Sequence, residues 1–284
     1  MAINPYVTAP EFEAHPTYLD LGDLRSGIAD PDAQTAELEN VLLMASSWAD
    51  GECNQPLAAH QLTLATRGRC DAQGVLHVYP TDRPVRSVSK VAFGETVGAQ
   101  TTLTSPAYRV EQNQTILISI GAGAARPGAW LYVDLTYIAG WVTTTLTAGA
   151  TAGSTSLTVA DPTGILPGHR YRLWEPGVEE VVTVSEAYAP AAVTVPPTAT
   201  AIPLAAPTTS DHTPGGGWSG MPSDMRLAVV NYGVSQLMRP DTAAEDSYPD
   251  TPLASGTRQK DPRRDGSGLV AEAVRLLHPF ARRM

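Results

Sequence analysis

Lysine is nearly missing from this chain. Lys90 and Lys260 are the only two, so almost all the positive charge is arginine. Cysteine is as scarce: Cys53 and Cys70 have no metal-ligand or redox spacing, and two thiols build no disulfide framework. Aromatic residues reach only 6%, which leaves few platforms for stacking on sugars or single-stranded nucleic acid. No run approaches about 18 uninterrupted apolar residues, so no membrane-spanning helix is expected. The opening Met1-Ala2-Ile3-Asn4-Pro5 lacks the basic-then-apolar order of a secretory signal, which points to folding in a cytoplasm.

What is present is an ordinary globular balance. Hydrophobic residues make up 43% and charged residues 17%, enough for a buried core in one large domain or two modest ones. Proline and glycine each occur 24 times, which predicts many turns and short strands. The formal net charge is -10, and a body this acidic repels nucleic acid unless its charge is segregated. It is segregated in part. From Thr257 onward there are seven basic and three acidic residues, so that tail is +4 and the remainder -14. Such a tail is either a solvated end or a basic arm for an acidic partner surface.

Residues 1–17 hold three prolines and no period, and read as an extended arm. Leu19, Leu21, Leu24 and Ile28 mark a short helix from Tyr18 to Ile28. Asp30 then offers an N-cap and Pro31 suits the first helical position. Leu38, Val41, Leu42, Ala45, Trp48 and Ala49 recur at helical steps, predicting an amphipathic helix to about Cys53. After Pro56 the period becomes two. Strands are expected at 60–66, 75–79, 85–93, 108–111, 115–120 and 129–138. The spacing of Val85, Val88, Val91 and Phe93 is not a clean alternation, so a bulge is expected there. Residues 143–207, rich in Thr, Ala, Val, Gly and Pro, suggest a small β-module with strands at 156–159, 170–174, 179–184 and 192–195. Residues 208–221 look like a flexible linker. A strongly apolar helix follows from Pro222 to Met238, with Ser223 as N-cap. Residues 240–266 are polar and proline-rich. A last helix runs from 267 or 268 to His278, with Leu269, Val270, Ala273, Leu276 and Leu277 on one side.

Catalytic chemistry is hard to find. The six histidines have no zinc-site spacing, and His212 lies in the expected linker. Gly217-Trp218-Ser219-Gly220 only superficially resembles a nucleophile elbow. Glu179-Glu180 reads as a strand with one exposed side. Gly121 to Gly128 is glycine-rich but leads into a strand, so a wide hairpin loop is favoured over a phosphate loop. No catalytic residue, metal or cofactor is assigned.

Three segments together resemble the head-to-tail connector (adaptor, or head-completion) family of long-tailed bacteriophages. The first is Tyr18-Leu19-Asp20-Leu21-Gly22-Asp23-Leu24 with the helix ending Ala45-Ser46-Ser47-Trp48-Ala49-Asp50-Gly51-Glu52-Cys53-Asn54-Gln55-Pro56-Leu57. The second is Arg83-Pro84-Val85-Arg86-Ser87-Val88-Ser89-Lys90-Val91. The third is Val133-Asp134-Leu135-Thr136-Tyr137-Ile138-Ala139-Gly140-Trp141, which in this family runs directly into a proline and a helix. Ala273 to Arg283 is also similar to the family's C-terminal helix. The resemblance covers 18–141 and 222–284 and leaves 143–207 as an insertion.

The resemblance implies an α+β protomer. It has a small helical bundle (the N-terminal helices plus helix 222–238), a β-strand region, an inserted β-module and a C-terminal helix. The divisions are an adaptor core at 1–142, the module at 143–207, a linker at 208–221, a returning helix at 222–240, and a flexible segment with a docking helix at 241–284. It also implies a non-enzymatic virion part in the neck, assembled in the bacterial host cytoplasm. Its partners would be itself in a dodecameric ring, the portal protein, a downstream neck or tail-completion protein, and DNA passing through the lumen without sequence-specific binding, with no membrane. Leu269, Leu276, Leu277 and Phe280 would anchor the C-terminal tip to the portal, with Arg282 and Arg283 pairing charge. Two other readings stay open. One is a phage or cell-surface binding protein whose module meets a glycan through Tyr171, Trp174 and Tyr188. The other is a virion-associated hydrolase.

Overall fold

The expected capping signals at Asp30 and Pro31 open the longest helix among the described residues. The structure is a computed structural model, and it describes residues 4–17, 19, 21, 24, 30–112, 114–121, 123–238 and 267–282. The expected helix at 18–28 and the polar stretch 240–266 lie largely or wholly outside those residues. The chain divides into two units. One comprises 1–54, 174–179 and 221–283, and the other 55–173 and 180–220.

The first unit is helical. Helix α1 is Ala9–Glu13, α2 is Pro31–Cys53, α3 is Ser223–Leu237 and α4 is Ser267–Leu277, followed by a 3-10 turn at His278–Phe280. The Asp30 carboxylate accepts the Asp32 N–H at 3.2 Å, and Pro31 fills the first turn where no N–H is needed. The helix stops at Asn54, whose left-handed backbone (φ +52°) turns its N–H back onto the carbonyls of Asp50 and Gly51. Of the expected apolar stripe, Leu38, Val41, Leu42, Ala45 and Ala49 are buried. Trp48 is half-buried and stacks on Tyr232 of α3, with centroids 4.0 Å apart and planes 6° from parallel. α3 packs on both α2 and α4. Its cap residue is Pro222, without a side-chain bond, rather than the expected Ser223.

The extended arm expected at 1–17 is a correction. Tyr6, Val7, Ala9 and Phe12 are all buried, Thr8 caps α1, and the Tyr6 hydroxyl donates to Asp50. A helix of five residues is too short to show a period, which is why the sequence hid it. Phe12 also reaches Gly233 of α3, where an added Cβ would meet its ring at 3.2 Å.

The second unit is built on an antiparallel sheet of seven strands curled into a half-barrel. The strands are β1 His60–Cys70, β2 Val75–Val78, β3 Val85–Gly94, β4 Thr101–Thr104, β5 Tyr108–Val110, β6 Ile116–Ser119 and β7 Trp130–Ala139. Their order is β4-β3-β7-β1-β2-β6-β5. Alternation on β7 puts Leu131, Val133, Leu135, Tyr137 and Ala139 in the core, with Leu76, Ile116 and Ile118 from the neighbouring strands. The β3–β7 register shifts between Val85 and Ser87 and again between Val88 and Lys90, which explains the broken valine spacing. The glycine-rich segment 121–128 is not a hairpin loop. It crosses from β6 to β7, which are not neighbours, and closes over the end of β1 through Gly128 N–H to Cys70 O at 2.8 Å.

Beyond Trp141 the chain continues with β8 Thr143–Thr145, β9 Ser156–Val159, β10 Arg170–Glu175, β11 Val178–Thr183, β12 Thr200–Pro203 and β13 Gly217–Ser219. Four of them form the sheet β11-β10-β13-β8, and β12 pairs with β9. Trp218, Tyr171, Leu157, Val159, Leu173 and Ile202 fill their core. The expected strand at 192–195 is irregular, and 200–203 takes the place beside β9. The flexible linker expected at 208–221 is corrected as well. Trp218 is fully buried on β13, and His212 bridges to Ala150. Glycine and proline mark turns here, and the one large side chain among them anchors the stretch. The excursion closes on itself: Thr143 faces Ser219, and Gly220 N–H donates to Val142 O at 2.8 Å.

Candidate assembly surfaces

Helix α4 carries the residues expected to dock. Its amphipathic pattern is satisfied largely inside the chain, because Leu277 is 1% exposed and Leu276 is 9% exposed. Leu269 and Phe280 are half-buried. The Arg282 N–H donates to Cys53 O at 2.9 Å, and the Cys53 thiol approaches Leu277 O at 3.9 Å. Arg283 lies outside the described residues. What α4 turns outward is Val274, 40% exposed, and an Arg275–Glu272 pair at 2.6 Å.

Polar clusters hold loops in place. The His60 ring meets Asp82 at 3.0 Å. The Tyr137 hydroxyl accepts the N–H groups of Thr81 and Asp82, each at 3.2 Å. Asp71 accepts the Val75 N–H at 2.8 Å, which holds its carboxyl below the usual range, and His77 adds to this from 3.3 Å. Burial pushes the Glu180 carboxyl up. The Thr209 hydroxyl, the His212 ring at 2.8 Å and the Thr209 N–H outweigh it, and the net shift is down. Burial pushes the Cys53 thiol up to about 12, helped by the charges of Asp50 and Glu52, so it is a poor nucleophile. Among the described residues no group of three His, Cys, Asp or Glu is arranged to hold a metal, and no helix is long and apolar enough to cross a membrane. Tyr171 and Tyr188 are buried in the module core, which removes two of the three aromatics the glycan reading needs.

The surface that sequence reasoning missed is the outer face of the seven-stranded sheet. Register sets Trp130 opposite Arg69, Arg69 opposite His77, His77 opposite Leu117, and Leu117 opposite Arg109. Cross-strand partners share a face, so these five form one row across four strand pairings. Behind it Tyr132 faces Arg67, whose guanidinium lies 4.5 Å from the ring centroid and donates to the hydroxyl at 2.5 Å. Trp130 is 58% exposed. Arg69 and Arg109 are exposed and make no ion pair among the described residues. A signal existed: Arg67 and Arg69 sit two apart on one strand, as do Trp130 and Tyr132 on another. It was overlooked because the apolar alternation dominates both strands.

No protein-family model and no curated protein matches this chain. One solved structure, described as "Neck of empty GTA particle computed with C6 symmetry", contains a chain similar to it at 13% identity, covering 100% of this chain and 97% of that one, with a TM-score of 0.35. A superposition of that quality does not establish a common fold.

Proposed function

We propose that this protein is a structural, non-enzymatic part of the neck of a long-tailed phage-like virion. In this reading it is an adaptor that closes into a ring below the portal, joins capsid to tail and continues the DNA channel. The observation that carries the reading is the closure at the base of the excursion, where Gly220 N–H meets Val142 O at 2.8 Å. A module that leaves and returns at one point can be spliced into a chain without displacing its flanks. With 143–220 taken out, β7 and Trp141 run straight into Pro222 and α3, the order that the adaptor resemblance requires. The helices are then the bundle of the adaptor core, and 143–220 is an insertion that includes the stretch expected as a linker. Heterologous contacts close into rings when the rotation closes, and a ring of twelve would match a dodecameric portal. An acidic inner wall would let DNA slide.

Docking to the portal falls on what α4 and its turn leave outward, Val274 and Arg282, with Leu276 and Leu277 supporting them from below. Truncation after Gly266 is a poor test, since it removes buried side chains. Electron microscopy of the chain mixed with the portal protein of the same particle is the better one. A closed ring on the portal is expected, lost in a Val274→Glu, Arg282→Glu variant whose melting temperature is unchanged. A wild-type chain that stays monomeric beside the portal would contradict the proposal.

A further inference from the structure

We infer that copies of this chain pack head to tail, the outer sheet face of one copy taking a half-exposed stripe of α2 of the next. This rests on the ring reading above and names the surfaces that would build it. The sheet face offers Arg67, Arg69, Arg109, Tyr132 and Trp130, a cationic and aromatic set of the kind that dominates interface energies. On α2, Glu37, Met44, Trp48 and Glu52 are spaced seven, four and four residues apart and so share one side of the helix. Met44 is 57% exposed, and Trp48 is held flat against Tyr232, which makes a stiff apolar centre between two carboxylates. Neither Glu37 nor Glu52 makes an ion pair among the described residues.

Charge selects the second copy as the occupant. Residues 1–54 hold ten carboxylates and one arginine, Arg25, whereas residues 55–142 hold seven basic residues against five acidic ones. The region carrying α2 is therefore the complement of the region carrying the sheet, within one and the same chain. Two different patches that fit each other make a heterologous contact, and only such a contact repeats around a ring.

The test is sedimentation velocity of the full chain over a concentration series up to about 1 mM, a range that detects contacts of only about 4 kcal/mol. The wild type is expected to associate, less so as salt rises. Arg67→Glu with Arg69→Glu should weaken association about 100-fold, as should Glu37→Arg with Glu52→Arg. In an equal mixture the intact α2 of the first variant meets the intact sheet of the second, and the two reversed faces complement each other as well, so the mixture should associate although neither variant does so alone. A chain carrying all four substitutions should associate again, which separates lost complementarity from lost folding. A wild type that is monomeric throughout, a double variant that associates normally, or a mixture that stays monomeric would overturn the inference. So would a sheet-face variant that loses only binding to a fluorescent single-stranded DNA, which would make the face a nucleic-acid surface. Variants that still close a ring on the portal refute this interface alone, whereas a wild type that forms no ring there refutes the ring itself.

Discussion

Helix α4 and the outer face of the seven-stranded sheet spend their chemistry in opposite directions. α4 has the more obvious amphipathic pattern, and it turns Leu276 and Leu277 onto its own helical unit. The sheet turns its apolar alternate residues inward and leaves arginine and aromatic side chains outward. An apolar stripe therefore says that a helix has a partner, without saying whether the partner is the same chain. Exposed arginines that make no ion pair among the described residues, beside an exposed tryptophan, are more informative, because folding gains little from leaving them there.

Substitutions at the two places should separate stability from assembly. The largest effect is expected from Leu277→Ala, which removes a fully buried side chain and should cost about 2–5 kcal/mol in thermal or denaturant unfolding. An unchanged midpoint would mean that α4 is free to dock elsewhere. A smaller effect concerns the pin between β11 and residues 208–212. Glu180 titrates below its usual value in the folded state. Its contribution is therefore present above its unfolded pKa, near 4.5, and is lost as pH falls through the folded value. The stability gap between the wild type and Glu180→Gln should shrink as pH drops from about 6 to about 3, as followed by thermal melting at each pH. The smallest effect on folding belongs to Trp130→Ala, within about 0.5 kcal/mol, although it should weaken self-association measurably. A large loss of stability there would place Trp130 in a core rather than at an interface.

Much of this fold is legible in the sequence. The cap at Asp30-Pro31, the stripe of α2, the alternation of β7 and the irregular valines of β3 each carry a local rule that tertiary packing did not override. The parts that were missed lack such a rule. β4 is Thr101-Thr102-Leu103-Thr104, an edge strand with a single apolar residue and nothing to alternate. β13 is three residues set among glycines, and only its pairing with β8 reveals it. α1 is one turn. The docking residues are ambiguous for a different reason: Leu276 and Leu277 fit a helix that meets the portal as well as one that meets α3, and only the observed burial separates the two.

A cryo-EM map of the neck in the assembled particle would decide the matter most directly. It should contain this chain as a closed ring at the vertex between capsid and tail, with α2 of each copy lying across the Trp130–Arg69–Arg109 row of its neighbour. A neck without this chain, or a single copy with both of those faces bare, would contradict it.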